Sequence, residues 1–152
     1  MKTNKVLFLC TGNSCRSIMA EVMLNNMSTK FHAFSAGSFP TGQVNEDAIK
    51  LLDKNQLEYS ELNSQSWDEF DGVDFDIVIT VCDNAANESC PVYLGQSLKA
   101  HWGIPDPDKA IGANRELAFE LAYKQLYARI EKLLMLSKID SDSLNQIGKL
   151  PL

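Results

Sequence analysis

Positively charged residues are scarce in this 152-residue chain, and long hydrophobic runs are absent from it. Its 14 Lys and Arg stand against 20 Asp and Glu, for a formal net charge of -6. Because nucleic-acid binding depends on clustered cations, this balance argues against a nucleic-acid partner. No stretch approaches the ~20 apolar residues of a membrane-spanning helix, and the apolar run near the N-terminus is too short for a secretory signal. We therefore expect a cytoplasmic protein with no nucleic-acid or membrane partner.

Cysteine and histidine are also few, and no Cys-x-x-Cys pair occurs. A reducing compartment makes persistent structural disulfides rare, which leaves the thiols available for a metal or for chemistry. A zinc site needs closely spaced thiols with histidine support, so we expect no zinc. The residues concerned are Cys10, Cys15, Cys82, Cys90, His32 and His101.

Strand-like and helix-like stretches alternate along the chain. Apolar runs predict strands at residues 5–9, 31–37, 75–82 and 98–102, and helical spacing of apolar residues predicts helices at 17–27, 44–55 and 115–138. This alternation predicts an α/β fold with a mainly parallel sheet, whose ligands bind outside the carboxyl ends of the strands. Cys10, Cys82 and the HWGIPDP segment each lie at the end of a predicted strand, so they can share one rim of the sheet although they are far apart in sequence. We expect one domain over residues 1–138, followed by a tail, 139–152, in which the periodicity is lost.

A tight loop with the sequence LCTGNSCRS joins the first predicted strand to the first predicted helix. Backbone N–H groups of such a turn point inward and, with the helix N-terminus, suit a tetrahedral oxyanion. Gly12 lets the backbone approach closely, and Arg16 can grip two oxygens of the anion. These donors would lower the pKa of Cys10, which makes it a candidate nucleophile. The predicted oxyanion cradle comprises Thr11, Gly12, Asn13, Ser14, Cys15 and Arg16.

Each cysteine also has a purely structural interpretation. Cys10 could be a buried thiol at a strand end, beside an ordinary turn and a surface arginine. Cys82 could be a core residue after the third strand, and Cys90 a turn residue before a proline. We interpret Cys15 as structural, because a side chain at the helical end of the loop packs inward. For Cys10, the agreement of strand, glycine, arginine and helix in one stretch favours the active interpretation.

Several stretches together resemble one protein family. VLFLCTGNSCRSIMAE, FSAG, DIVITVCDNA, CPV and HWGIPDP resemble the low-molecular-weight protein tyrosine phosphatases, and more closely their arsenate-reductase relatives. The resemblance covers most of residues 5–135 and implies a three-layer α/β/α fold with a four-stranded parallel sheet. It implies that Cys10 is the nucleophile, that Arg16 is the oxyanion ligand, and that the Ser17 hydroxyl stabilises the thiolate.

Two further thiols separate a reductase from a phosphatase. A phosphatase needs one cysteine, whereas the reduction of arsenate needs two electrons, which further thiols can supply. By resemblance to thioredoxin-coupled reductases, Cys82 attacks Cys10 and Cys90 carries the disulfide outward. Cys82 and Cys90 are eight residues apart, one residue more than in the reductases that the sequence resembles. We therefore expect an arsenate reductase supplied with electrons by thioredoxin or by glutathione and glutaredoxin. The alternatives are a tyrosine phosphatase of the same fold and a non-catalytic module that binds oxyanions or senses redox state.

The resemblance also implies an acid and, in some relatives, a cation site. Asp106 matches the acid that protonates the departing oxygen, and it can serve at the same time as a helix N-cap. Some relatives bind potassium through residues that match Asn13, Glu21 and Ser35. The aspartate expected near residues 64–66 is replaced by Ser-Gln-Ser, so we interpret these three as ordinary structural residues and expect no bound metal or other cofactor.

Overall fold

The structure is a computed structural model that describes residues 3–86 and 94–151. Its described part contains a four-stranded sheet in the order β2-β1-β3-β4, with every pairing parallel. The strands are β1 (Asn4–Leu9), β2 (Phe31–Ala36), β3 (Ile77–Thr80) and β4 (Leu98–His101). The two central strands are buried along most of their length, which explains their continuous apolar sequence. The predicted four-stranded parallel sheet is confirmed.

Helices cover the sheet unequally. The described α-helices are α1 (Arg16–Met27), α2 (Glu46–Lys54), α3 (Asp83–Ala86), α4 (Ala113–Leu134) and α5 (Ser141–Gly148). Val6 and Phe8 of β1 share one core cluster with residues of these helices, whereas Leu7 and Leu9 point to the opposite face. That second face is covered by aromatic side chains and the 3-10 helix Trp67–Phe70. None of the described helices is long and apolar enough to cross a membrane.

The expected C-terminal tail is wrong in its central part, because residues 141–148 form helix α5. Leu144 and Ile147 of this helix are buried in the main core, and the Trp102 indole Nε1–H donates to the Leu144 carbonyl at 2.9 Å. A Cβ at Gly148 would collide with the His101 carbonyl, so the helix approaches the end of β4 closely. Two buried apolar residues are too few to give a periodic signal in sequence, and the contact with Trp102 is tertiary.

At each edge of the sheet, an asparagine side chain is hydrogen-bonded to the backbone of the outermost strand. At the β2 edge, Asn25 accepts from the Ala33 N–H at 2.8 Å and donates to the Ala33 carbonyl at 3.1 Å. At the β4 edge, Asn145 accepts from the His101 N–H at 3.2 Å and donates to the Lys99 carbonyl at 3.4 Å. Each carboxamide thus occupies the place of a peptide group from a further strand, which protects the edge from pairing with another chain.

We expect Leu144→Ala to destabilise the protein by about 2–5 kcal/mol, because it leaves a cavity against Trp102. Urea unfolding measures this change. Met135→Ala is the control, since the Met135 side chain is 75% exposed and lies just beyond α4. A loss for Leu144→Ala as small as that of the control would mean that α5 does not belong to the cooperative core.

Candidate active site

The pairing of β1 with β3 brings two distant cysteines together. Leu9 lies opposite Thr80, and the Val81 N–H donates to the Leu9 carbonyl at 2.9 Å. The chain therefore leaves both strands at the same edge, and the thiols of Cys10 and Cys82 come within hydrogen-bonding contact. The predicted common rim of these two residues is confirmed.

The loop from residue 10 to residue 16 turns its carbonyl groups outward. Four of them accept backbone N–H groups at 2.9–3.2 Å, in the pairs Asn13 to Cys10, Phe39 to Thr11, Thr41 to Gly12, and Asn45 to Ser14. The backbone N–H groups of Gly12, Ser14, Cys15 and Arg16 form no hydrogen bond within the described part of the chain. Free amides that surround the turn at the start of α1 can bind an oxyanion.

The left-handed residue of this loop is Asn13. Asn13 has a φ of 45° and is fully buried, and its side chain accepts from the Gln65 N–H at 2.8 Å. Asparagine tolerates this conformation because its amide can bond locally. Gly12 has an ordinary negative φ, whereas Gly37 has no room for a Cβ beside the Cys10 and Thr11 carbonyls. Sequence reasoning did not assign a role to Gly37 or Gln65; the glycine after β2 was the available signal.

Arg16 crosses from the loop to the segment after β4. Its Nη1 donates to the Ile104 carbonyl at 2.7 Å, and its Nη2 lies 3.6 Å from an Asp106 carboxylate oxygen. The buried Nε–H finds no acceptor among the described residues. Since a buried donor without an acceptor is unfavourable, this group is ready for the oxygen of a bound anion.

The two neighbouring thiols share one proton, and Cys82 is the more acidic of them. The Cys10 S–H donates to Cys82, and the N–H groups of Thr11 and Ala85 donate to the same sulfur at 3.4 Å, which lowers the pKa of Cys82 to about 5. The same contact and burial raise the pKa of Cys10 above its ordinary value, although Arg16 opposes this. Our expectation of a lowered Cys10 pKa is therefore wrong, because the contact with Cys82 and burial outweigh the effect of Arg16.

The remaining predicted site residues have different positions. Cys15 is buried, and burial raises its pKa to about 12, as suits a structural thiol. Ser17 is buried, and its hydroxyl accepts from the Asn13 side chain at 2.9 Å, with no hydrogen bond to Cys10. Its stabilisation of the Cys10 thiolate stays a prediction. Cys90 lies outside the described residues.

Asp106 lies in a segment that we call the acid loop, residues 103–110. Its carboxylate accepts from the Asp108 N–H at 3.0 Å and so caps the 3-10 helix Pro107–Lys109, as the N-cap interpretation expected. The same side chain lines a cleft of about 650 Å³ together with Arg16 and Cys82. A cap therefore holds a carboxyl group at the mouth of the loop.

The residues matched to a potassium site are bonded to other protein groups. Asn13 uses both its amide oxygen and its amide nitrogen, the Ser35 hydroxyl donates to Glu21 at 2.5 Å, and the Gln65 side chain donates to the Ser35 carbonyl at 3.2 Å. Each of these groups therefore has a structural hydrogen-bonding role, and the absence of a bound potassium ion stays a prediction. Within residues 3–86 and 94–151, no three His, Cys, Asp or Glu side chains form a metal-binding group.

These features define a class of protein in which a strand-to-helix loop holds a tetrahedral oxyanion above a cysteine. The family model for low molecular weight phosphotyrosine protein phosphatases matches residues 5–145. The chain belongs to this family, and the resemblance seen in its loop and in its HWGIPDP segment is confirmed.

Individual relatives include both reductases and phosphatases. A protein of Shouchella clausii named arsenate reductase is 35% identical over 137 residues, which are 87% of this chain and 96% of that protein. A solved arsenate reductase in a phosphate-binding state is 27% identical, with a TM-score of 0.73 over 87% of this chain and 97% of its own. A low molecular weight tyrosine phosphatase from T. tengcongensis is 25% identical, with a TM-score of 0.73 over 87% and 98% of the two chains.

We expect Cys10→Ala to raise the pKa of Cys82, because the substitution removes the S–H donor that contributes most to its lowering. The pH dependence of alkylation at Cys82, followed by peptide mass spectrometry, measures this shift. Cys15→Ala is the control and should leave the midpoint near pH 5. If the midpoint did not move in Cys10→Ala, the shared proton would be rejected.

Burial of Glu21 predicts a pH dependence of stability. Burial raises the pKa of Glu21 from 4.5 to about 7, against the hydrogen bond from Ser35. Unfolding between these values releases a proton, so this contribution to stability is complete below about pH 4.5 and is lost as the pH rises through 7. In Glu21→Gln, the decline of unfolding free energy over this interval should be smaller than in the unmodified chain. Equal slopes in urea titrations across the interval would contradict the assignment.

Proposed function

We propose that this protein is an arsenate reductase in which Cys10 attacks arsenate and Cys82 resolves the product. The contact between Cys10 and Cys82 at the rim of the oxyanion loop carries this proposal. A phosphatase has no use for a second thiolate against its nucleophile, whereas a two-electron reduction requires one. The arsenate reductase relative from Shouchella clausii supports the same activity.

Arsenate first binds to the hydrogen-bond donors of the loop. Its oxygens accept hydrogen bonds from the free backbone N–H groups of Gly12, Ser14, Cys15 and Arg16 and from the Arg16 Nε–H. While these donors hold the anion, Cys10 transfers its proton to the neighbouring Cys82 thiolate. Cys10 then attacks arsenic: a sulfur–arsenic bond forms, an arsenic–oxygen bond breaks, and Asp106 protonates the oxygen that leaves as water.

Reduction occurs in the second step. After Cys82 has lost its proton to solvent, its thiolate attacks the Cys10 sulfur, so that a disulfide forms and the sulfur–arsenic bond breaks. The electron pair of that bond stays on arsenic, which leaves as arsenite. In sum, arsenic acid and two thiols give arsenous acid, water and one disulfide. The donors from Thr11 and Ala85 favour this step because they keep Cys82 acidic.

An external thiol must then reopen the disulfide. We propose that Cys90 attacks Cys82 and carries the disulfide to thioredoxin, as in the reductases that the sequence resembles. Glutathione with glutaredoxin is the alternative donor, since a small thiol can enter the open cleft beside Cys82 directly. The two donors differ in whether Cys90 is needed.

The test measures arsenite release, once with a thioredoxin system and once with a glutathione system. It also measures the hydrolysis of an aryl phosphate. We expect Cys10→Ser to abolish arsenite release, because it removes the nucleophile and keeps the loop's donors, while Cys15→Ser as a control keeps most of it. Cys82→Ser should stop with arsenic on Cys10, and Cys90→Ser should stop after one turnover with Cys10 joined to Cys82, both seen by mass mapping.

Three outcomes would overturn parts of this function. Rapid aryl phosphate hydrolysis without arsenite release would identify a phosphatase, and arsenate binding without either reaction would identify a non-catalytic module. A Cys90→Ser protein that lacks the Cys10–Cys82 disulfide after one equivalent of arsenate would reject Cys82 as the resolving thiol. Full turnover of Cys90→Ser with glutathione alone would exclude the thioredoxin relay.

A further inference from the structure

A buried arginine holds the beginning of the acid loop. Arg129 of α4 is only 3% exposed. Its side chain donates to the Gly103 carbonyl at 3.0 Å and to the Leu150 carbonyl at 3.4 Å. No carboxylate in the described part of the chain pairs with it. A buried guanidinium with only carbonyl partners costs stability, and its two hydrogen bonds tie separate segments of the chain to α4.

A second arginine of the same helix holds the other end of the loop. Arg115 donates to the Asp108 carbonyl at 3.0 Å, to the Asp108 carboxylate at 2.6 Å and to the Ala110 carbonyl at 3.3 Å. Its Nε–H is fixed by the Asp47 carboxylate of α2 at 2.7 Å. The acid loop is therefore tied to α4 before and after the residues that face the cleft.

The residues between these two ties contact the oxyanion loop. The Ile104 carbonyl, one residue after Gly103, accepts from Arg16, and the Asp106 carboxylate lies beside the same guanidinium. Proline at positions 105 and 107 restricts the backbone between the ties. A shift of either end therefore moves both the acid and a partner of the anion ligand.

We propose that Arg129 and Arg115 are positioning residues that clamp the acid loop at both ends and so set the placement of Asp106 relative to arsenate bound at Arg16. This inference rests on the proposed function, in which Asp106 protonates the departing oxygen. The planar fork of arginine suits the task, because it reaches two acceptors from one rigid group, whereas lysine offers a point charge. Through Leu150 the clamp also includes the segment that follows α5.

Hydrogen exchange of backbone amides tests the clamp without reference to activity. The loop amides of Ile104, Asp108, Lys109 and Ala110 all donate hydrogen bonds, so their exchange reports opening. Arg129→Met should speed exchange at Ile104, and Arg115→Met should speed it at the three later amides. Lys124→Met, which removes an exposed cation from the same helix, is the control and should change neither. Unchanged exchange in both arginine variants would reject the clamp.

A double-mutant cycle with Asp106→Asn tests the link to chemistry. We expect Arg129→Met to slow single-turnover arsenite release by roughly tenfold or more, since small misplacements of catalytic groups are costly. In an Asp106→Asn background the same change should alter the rate less than about twofold, because the group that it positions is gone. Arg129→Lys should recover part of the rate by reaching one carbonyl.

The controls separate failure of the clamp from failure of the function. Asn25→Leu removes two hydrogen bonds at the opposite edge of the sheet, and its effect on the rate should be the same in both backgrounds. If Asp106→Asn slows release but the factors for Arg129→Met multiply, the clamp is wrong and the acid assignment stands. If Asp106→Asn has no effect, or the unmodified chain releases no arsenite, the proposed chemistry fails and the exchange data decide the clamp. Should Arg129→Met not fold, Arg129→Lys and Arg115→Met carry both measurements.

Discussion

The parallel pairing of β1 with β3 is the constraint on which the whole site depends. It aligns Leu9 with Thr80, so two chain segments about seventy residues apart leave the sheet at one rim. Because Cys10 and Cys82 follow directly, their contact is a consequence of strand register. A slip by one residue would turn the side chains to the other face and separate the thiols. The contact between Cys10 and Cys82 is thus fixed by two strands that lie in the most deeply buried part of the core.

The oxyanion loop depends on its neighbours for its shape. Backbone groups of Phe39, Thr41 and Asn45 take up its carbonyls from outside, and the Gln65 N–H holds the buried side chain of Asn13. Because the carbonyl groups of the loop already accept hydrogen bonds, its free backbone N–H groups can donate to an anion inside the loop. Two segments distant from the loop in sequence, after β2 and before the 3-10 helix Trp67–Phe70, therefore decide whether it can bind.

Several unfavourable features gather at this rim. A buried arginine N–H lacks an acceptor among the described residues, Asn13 has a left-handed backbone, and two thiols compete for one proton. Each of these features costs stability, and each can serve the binding or the reaction of an oxyanion. The core beneath, which holds Phe8 and Trp102, supplies the stability that tolerates them.

The sequence by itself determined the strand–loop–helix arrangement around Cys10, the parallel sheet, and the common rim of Cys10 and Cys82. These features follow from local patterns, because apolar runs, turn residues and strand ends are written in neighbouring residues. It also indicated Asp106 as a cap, which needs only the residues beside it.

Only the tertiary structure decided that the contact between the thiols raises the pKa of Cys10 and lowers that of Cys82, that Asn13 adopts a left-handed backbone, and that Ser17 bonds to Asn13. It also decided that residues 141–148 are a helix against Trp102 and that Arg115 and Arg129 hold the acid loop. These outcomes depend on groups brought together from separate elements. The pKa of Cys82, for example, is set by donors from Cys10 and Thr11, which reach it only once β1 and β3 have paired.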